Sequence, residues 1–286
     1  MVWQTLEAKL STPRMNRYLK GYQGKQDLAA QAYVHNMRLA ESLVSVFHVL
    51  EVGLRNGIQR EMAREYKRDD WYEELNNTGN ADLQGSYTKV NEAHSTLKKR
   101  GVKVTPDDIV AELSFGFWTT LFNRGAFPAI SKPLMRVFHF SPKSTKPDLI
   151  RSRLNKARDL RNRCFHHEPL LWQPLFELHR DITEVIKWID PDLCTWIKGH
   201  DRLPATLIDW QNWRAEASKA KDVPAAEQNK AEDHATEKAS QEVDSKHTQA
   251  TPEIAINKPE SQSEAKSDIA ARPVLKLKRS QPPAGN

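Results

Sequence analysis

The stretch "LAESLVSVFHVLEVGLRNGI", residues Leu39–Ile58, decides the fold class. Leu39, Leu43, Val46, Phe47, Leu50, Leu54 and Ile58 recur mostly three or four residues apart, which marks one buried stripe on a helix. The pattern reaches from Asp27 to about Tyr66, long for one helix, so a break near Asn36 is allowed for. Its most apolar part, Leu43–Leu54, is too short to span a bilayer and carries His48 and Glu51. The N-terminus "MVWQTLEAKL" has no apolar core of a signal peptide. The expectation is a soluble, cytoplasmic protein with no membrane partner.

Outward from that stripe the chain stays helical in character. Period-2 alternation is almost absent, and no Asn-Gly or Asp-Gly turn joins two β-branched runs. Ser11 and Thr12 before Pro13 form a helix start, and residues 69–81 ("DDWYEELNNTGNA") read as a loop. A helix is expected over about Asp82–Lys99. Thr105-Pro106-Asp107-Asp108 supplies an N-cap, a proline at the first helical position and two acids in the first turn. That helix is expected to run through "IVAELSFGFWTTLF", placing Phe115, Phe117, Trp118 and Phe122 in the core or at a dimer interface. Pro128, Pro133, Pro142 and Pro147 punctuate a connecting region. Further helices are expected over about Lys146–His167, Leu171–Ile189 and Pro204–Arg214. The fold class is all-α, a bundle of six or seven helices.

Composition divides the chain. Of 286 residues, all eight Trp, nine Phe and six Tyr lie at or before Trp213. Residues 215–286 carry 11 basic and 12 acidic side chains amid Ala, Ser, Gln and Pro. Such a segment cannot bury enough apolar surface to offset its ordering entropy, so a disordered tail is expected there, after a helical domain over 1–214. Within it, "RPVLKLKRS" (Arg272–Ser280) is a candidate docking motif or a solvated end. The net charge of +6 then leaves +7 on the folded part, a balance that favours polyanions. Two cysteines, Cys164 and Cys194, form no disulfide framework and suit a reducing compartment.

The chemistry concentrates in "RDLRNRCFHHEP", Arg158–Pro169. At helical period Leu154, Arg158, Asn162 and Phe165–His166 fall along one side, with Arg161 flanking it. Arg161 and His166 are five apart, about 140° around an ideal helix. Pro169 disfavours helical geometry at Glu168, so His166 and His167 are expected in a fraying last turn from which a ring can swing back. A helix C-terminus also favours positive charge there. Arg, Asn and His in reach of one another suit RNA cleavage. His exchanges protons with the 2′-OH and the leaving 5′-oxygen, Arg clamps the phosphate, and Asn orients the ring or sugar. His139, His166, His167 and His179 lack the ligand spacing of a zinc site, and no glycine-rich phosphate loop or G-x-S-x-G elbow occurs, so no metal or cofactor is expected.

The bare spacing Arg-x-x-x-x-His carries little weight alone. "RNRCFHHEP" preceded by "ELSFGFWTTLF" and "FHVLEVGLRNGIQ", with "LSTPRMNRYL" and "AAQAYVHNMRLAESL" further back, resembles the Abi-like (abortive infection) family of the HEPN superfamily of α-helical ribonucleases. The resemblance covers about residues 10–200. It implies catalytic Arg161 and His166 with Asn162 supporting, no metal, and a homodimer whose facing signature helices share one cleft. Arg158, Arg163, His167, Glu51, Arg55 and Asn56 are the candidate RNA-binding or supporting residues. Glu51 and Arg55 are open to a second reading, as an ion pair bracing the bundle. The family's frequent Tyr two residues after the His is replaced by Glu168. The expected function is a metal-independent endoribonuclease acting in phage defence or as a toxin, with an antitoxin or noncoding RNA as regulator. The alternative is a non-catalytic HEPN-like module that binds RNA or protein.

Overall fold

The computed structural model describes residues 2–101 and 103–221. Those residues are all-helical, with no strand among them. They form α1 (Val2–Leu10), α2 (Thr12–Gly21), α3 (Gln26–Tyr66), a 3-10 helix (Trp71–Thr78), α4 (Ala81–Lys99), α5 (Pro106–Glu112), α6 (Phe115–Thr120), α7 (Phe127–Arg136), α8 (Pro147–Phe165), α9 (Leu175–Ile189), α10 (Pro191–Lys198) and α11 (Leu203–Lys221). No helix among them is long and apolar enough to cross a membrane.

α3 is the axis of the bundle. Its 41 residues run without a break at Asn36 and extend about 60 Å. Asn36 is buried, and its side-chain oxygen accepts the Leu170 backbone N–H at 2.6 Å. Leu39, Leu43, Val46, Leu50, Leu54, Ile58 and Met62 are fully buried. Around this stripe α2, α7, α8, α9 and α11 pack directly on α3. Gly57 lets the end of α7 approach, since a Cβ there would stand 2.9 Å from Val137 Cγ1. Arg136 reinforces the same contact, reaching Glu61 at 2.9 Å and Glu65 at 2.8 Å.

The helix count exceeds the expected six or seven for local reasons. Residues 69–81 are not simply a loop, because Trp71–Thr78 winds into a 3-10 helix that buries Trp71, Tyr72 and Leu75. The Trp71 indole N–H donates to Gln59 of α3 at 2.6 Å, which holds that segment down. The helix expected through Phe122 breaks at Leu113, whose ψ of 131° is extended, and Ser114 restarts it by accepting the Phe117 N–H. The break turns Phe115, Phe117, Trp118 and Phe122 into the core, each at most 4% exposed. Asp190 caps the unanticipated α10 by accepting from the Asp192 and Leu193 N–H groups at 2.8 and 2.9 Å. α1 is likewise additional, anchored by buried Trp3.

α11 runs beyond the expected end at Arg214 to Lys221, and Ala217 is buried. Trp210 and Trp213 pack on His35 of α3, and the Trp213 N–H donates to Gln31 at 2.7 Å. The expected tail from residue 222 onward, with its Arg272–Ser280 segment, lies outside the described residues.

Candidate functional site

α8 carries the candidate residues, and its two faces explain where they go. Leu154, Ala157, Leu160 and Cys164 are buried against the bundle. The Cys164 thiol donates to the Ala40 carbonyl of α3 at 3.3 Å. Burial pushes that thiol up to about 11, against the opposing charge of Arg161, so it is an inert packing group.

Arg161 lies over the α8–α3 seam. One of its terminal nitrogens is 3.6 Å from Glu51 Oε2, and the guanidinium carbon stands 4.5 Å from the Phe165 ring centroid. Its Nε is buried with no hydrogen-bond partner. That atom is out of reach of solvent, so an incoming anion would meet the terminal nitrogens of this partly exposed guanidinium instead. Phe165 is 47% exposed, a large apolar surface beside that cation. Glu51 therefore pairs across helices, not with Arg55, which instead donates to Asn56 at 3.3 Å.

The last turn of α8 is terminated, not frayed. His167 adopts the left-handed conformation with φ 57°. The Glu168 N–H donates to the Arg163 carbonyl at 2.8 Å and the His167 N–H to the Cys164 carbonyl at 3.1 Å. Together these bonds form a Schellman cap with His167 in the place glycine usually takes. Pro169 follows and is buried. Arg14 of α2 donates to the His167 carbonyl, so the cap is also tied to a second helix. That arginine was not among the sequence candidates, since nothing local to α2 announces a partner on α8.

His166 is an exposed residue at the C-cap, and its backbone N–H donates to the Asn162 carbonyl at 2.8 Å. Among the described residues its imidazole makes no hydrogen bond to Arg161 or Asn162. The structure thus brings Arg161 to Glu51 and Phe165, and leaves His166 free at the rim one turn on. Arg163 lies on the opposite side of α8 from Arg161 and pairs with Glu168 at 3.0 Å. Arg158 pairs with exposed Asp159 at 3.2 Å and lines a separate groove.

The other histidines are scattered. His179 pairs with Asp201 at 2.5 Å, and the His139 ring lies tilted against Phe140 with centroids 4.0 Å apart. Among the described residues no three His, Cys, Asp or Glu side chains are grouped to hold a metal ion. Trp172 and Phe176, just past the α8 cap, are 48% and 67% exposed, and Arg17 stands 5.7 Å from the Trp172 ring. These aromatics were missed in sequence because burial, not residue type, distinguishes them. No family model matches the chain, and no curated protein and no solved structure matches it either.

Proposed function

We propose that the chain is a metal-independent endoribonuclease of the HEPN type, acting in phage defence by abortive infection or as a toxin. The observation that carries this reading is the partly exposed Arg161 guanidinium on the last turns of α8, with the exposed His166 at the C-cap of the same helix. Arg161 clamps the scissile phosphate and the charge that develops on it. His166 exchanges the proton of the 2′-OH or of the leaving 5′-oxygen, and Asn162 orients the ring or sugar. Glu51 holds the guanidinium in place. The products are a 2′,3′-cyclic phosphate and a 5′-hydroxyl.

One chain offers one such histidine, whereas cleavage needs proton removal and proton donation. A homodimer with a two-fold axis beside α8 supplies two copies of Arg161, Asn162 and His166. An apolar strip on the outer face of α3 favours that arrangement: Val34, Met37 and Val44 are 39–49% exposed. The regulator of such an enzyme is an antitoxin or a noncoding RNA. The competing reading is a non-catalytic HEPN-like module, favoured by the absence of a contact between the His166 ring and Arg161. Incubation with cellular RNA in EDTA separates them. Cyclic-phosphate ends support the enzyme, and intact RNA or strictly magnesium-dependent 5′-phosphate products overturn it.

A further inference from the structure

An open groove of about 530 Å³ runs between α4, α6 and α8, away from the His166 rim. Asp82, Gly85 and Lys89 of α4, Gly116 and Phe117 of α6, and Arg158 of α8 line it. Its two glycines are the key observation. Glycine disfavours a helix interior, so a helical glycine normally has a packing reason. Gly57 has one, in Val137 at 2.9 Å, and Gly21 has Trp172 at 3.1 Å. Gly85 has none: a Cβ there would meet nothing within 4 Å. At Gly116 a Cβ would meet only Ser114 Oγ at 3.5 Å, an ordinary contact. Neither has the left-handed backbone that would call for glycine. Gly53 of α3 has likewise only an ordinary contact, Leu193 Cδ2 at 3.4 Å, but Gly85 and Gly116 are the pair that line this groove, where added methyl groups would narrow the slot.

The charges give that slot a direction. Asp82 and Lys89 are seven residues apart on one face of α4, about 10 Å along its axis. Among the described residues the Asp82 carboxylate has no hydrogen bond or ion pair, and its Oδ2 rests against the backbone of Gly125, where a Cβ would find no room. Among the described residues Lys89 pairs with the exposed Glu92 alone, at 2.9 Å, and Arg158 with the exposed Asp159 alone. Such surface pairs give way readily to a phosphate. One end therefore accepts hydrogen bonds, the other takes an anion, and buried Phe117 contributes an apolar wall. Among the common bases guanine presents two adjacent N–H donors, N1–H and N2–H, that match a carboxylate bidentately.

We propose that this groove is a guanine-nucleotide subsite, with the base over Gly85 and against Asp82 and the phosphate between Lys89 and Arg158. The inference rests on the ribonuclease reading only for the longer strand to which that nucleotide belongs. Arg158 stands about 12 Å along α8 from His166, so a seated guanine lies at a fixed offset from the cleaved bond.

Calorimetric titration of the full chain with GMP, AMP and inorganic phosphate tests the subsite without any cleavage step. GMP binds, and AMP binds about tenfold more weakly. Asp82→Asn abolishes the preference for GMP. Gly85→Ala weakens GMP by about tenfold while raising the melting temperature by about 2 °C, since alanine favours the helix. Equal binding of GMP and AMP, or binding of neither, overturns the subsite. So does a Gly85→Ala protein that melts lower and binds GMP as before, because its glycine is then structural. RNA cleavage with no GMP binding removes this inference alone, and GMP binding with no cleavage removes the ribonuclease reading alone.

Discussion

Arg161 of α8 reaches Glu51 of α3 at 3.6 Å, joining the candidate catalytic helix to the central helix of the bundle. The pair is about one-third exposed on each side, so its contribution to stability is small. Its consequence is positional: the carboxylate fixes where the guanidinium lies over the seam.

Arg161→Ala and His166→Ala are expected to lower RNA cleavage by about 10²–10⁴-fold, the usual worth of a positioned acid–base group, with the fold intact by circular dichroism. His167→Ala is milder in cleavage, because that ring is outside the proposed chemistry. A dead His167→Ala protein beside an active His166→Ala protein would transfer the role to the neighbouring histidine.

Glu51→Gln tests the positioning role separately. Cleavage should fall by roughly tenfold or less, with a melting temperature close to that of the parent, as for other half-exposed pairs. A collapse of stability would show that the pair braces the bundle instead.

Gly57→Ala is expected to destabilise by about 1–3 kcal/mol, despite the better helix propensity of alanine, because its methyl meets Val137 at 2.9 Å. Adding Val137→Ala should remove the clash but leave its own cavity cost, giving clear non-additivity in a denaturant-based double-mutant cycle.

Stability should fall with acid in two stages. Burial, helped by Arg38 and opposed by Asp209, holds the His35 imidazole below its ordinary value of 6.5. For Glu61, burial acts upward, but hydrogen bonds from Arg136 and Arg60 outweigh it and keep the carboxyl below 4.5. Asp201 is depressed in the same way by His179 and the Leu203 N–H, against its burial. All three groups take up protons at higher pH unfolded than folded, so their stabilisation is complete above the unfolded values and lost as pH falls. Thermal melts should be level near pH 7–8, decline gently below about 6.5, and drop steeply below about 4.5. His35→Phe should flatten the first stage. A melting temperature that rises from pH 7 to pH 5 contradicts the scheme.

Two truncations test where the folded part stops. A chain ending at Lys221 should melt like the full protein, since the composition beyond it offers no aromatic residue to bury. A chain ending at Arg214 should melt lower, because it loses the last turns of α11 and the buried Ala217. Equal melting of both would show that those turns add nothing.

The sequence by itself determined what depends on near neighbours. The all-helical class followed from the α3 stripe, whose periodicity is a property of residues a turn apart. The start of α5 was legible because Thr105 and Asp108 cap each other, the Thr105 N–H donating to Asp108 at 2.9 Å. The end of α8 near Pro169 was legible too, although the proline suggested fraying and the backbone instead closes a left-handed cap at His167. Tertiary structure alone decided the rest. Leu113 turns extended because Phe115, Phe117 and Trp118 are drawn into a common core, which no window around Leu113 contains. Glu51 faces two arginines in principle, Arg55 on its own helix and Arg161 on another, and only the packing of α8 on α3 selects Arg161. Arg14 reaches the His167 carbonyl, and Gly85 and Gly116 come to line one groove, for the same reason. Helical period places a residue on a face, but which face of another helix it meets is set by how the whole bundle buries its apolar surface.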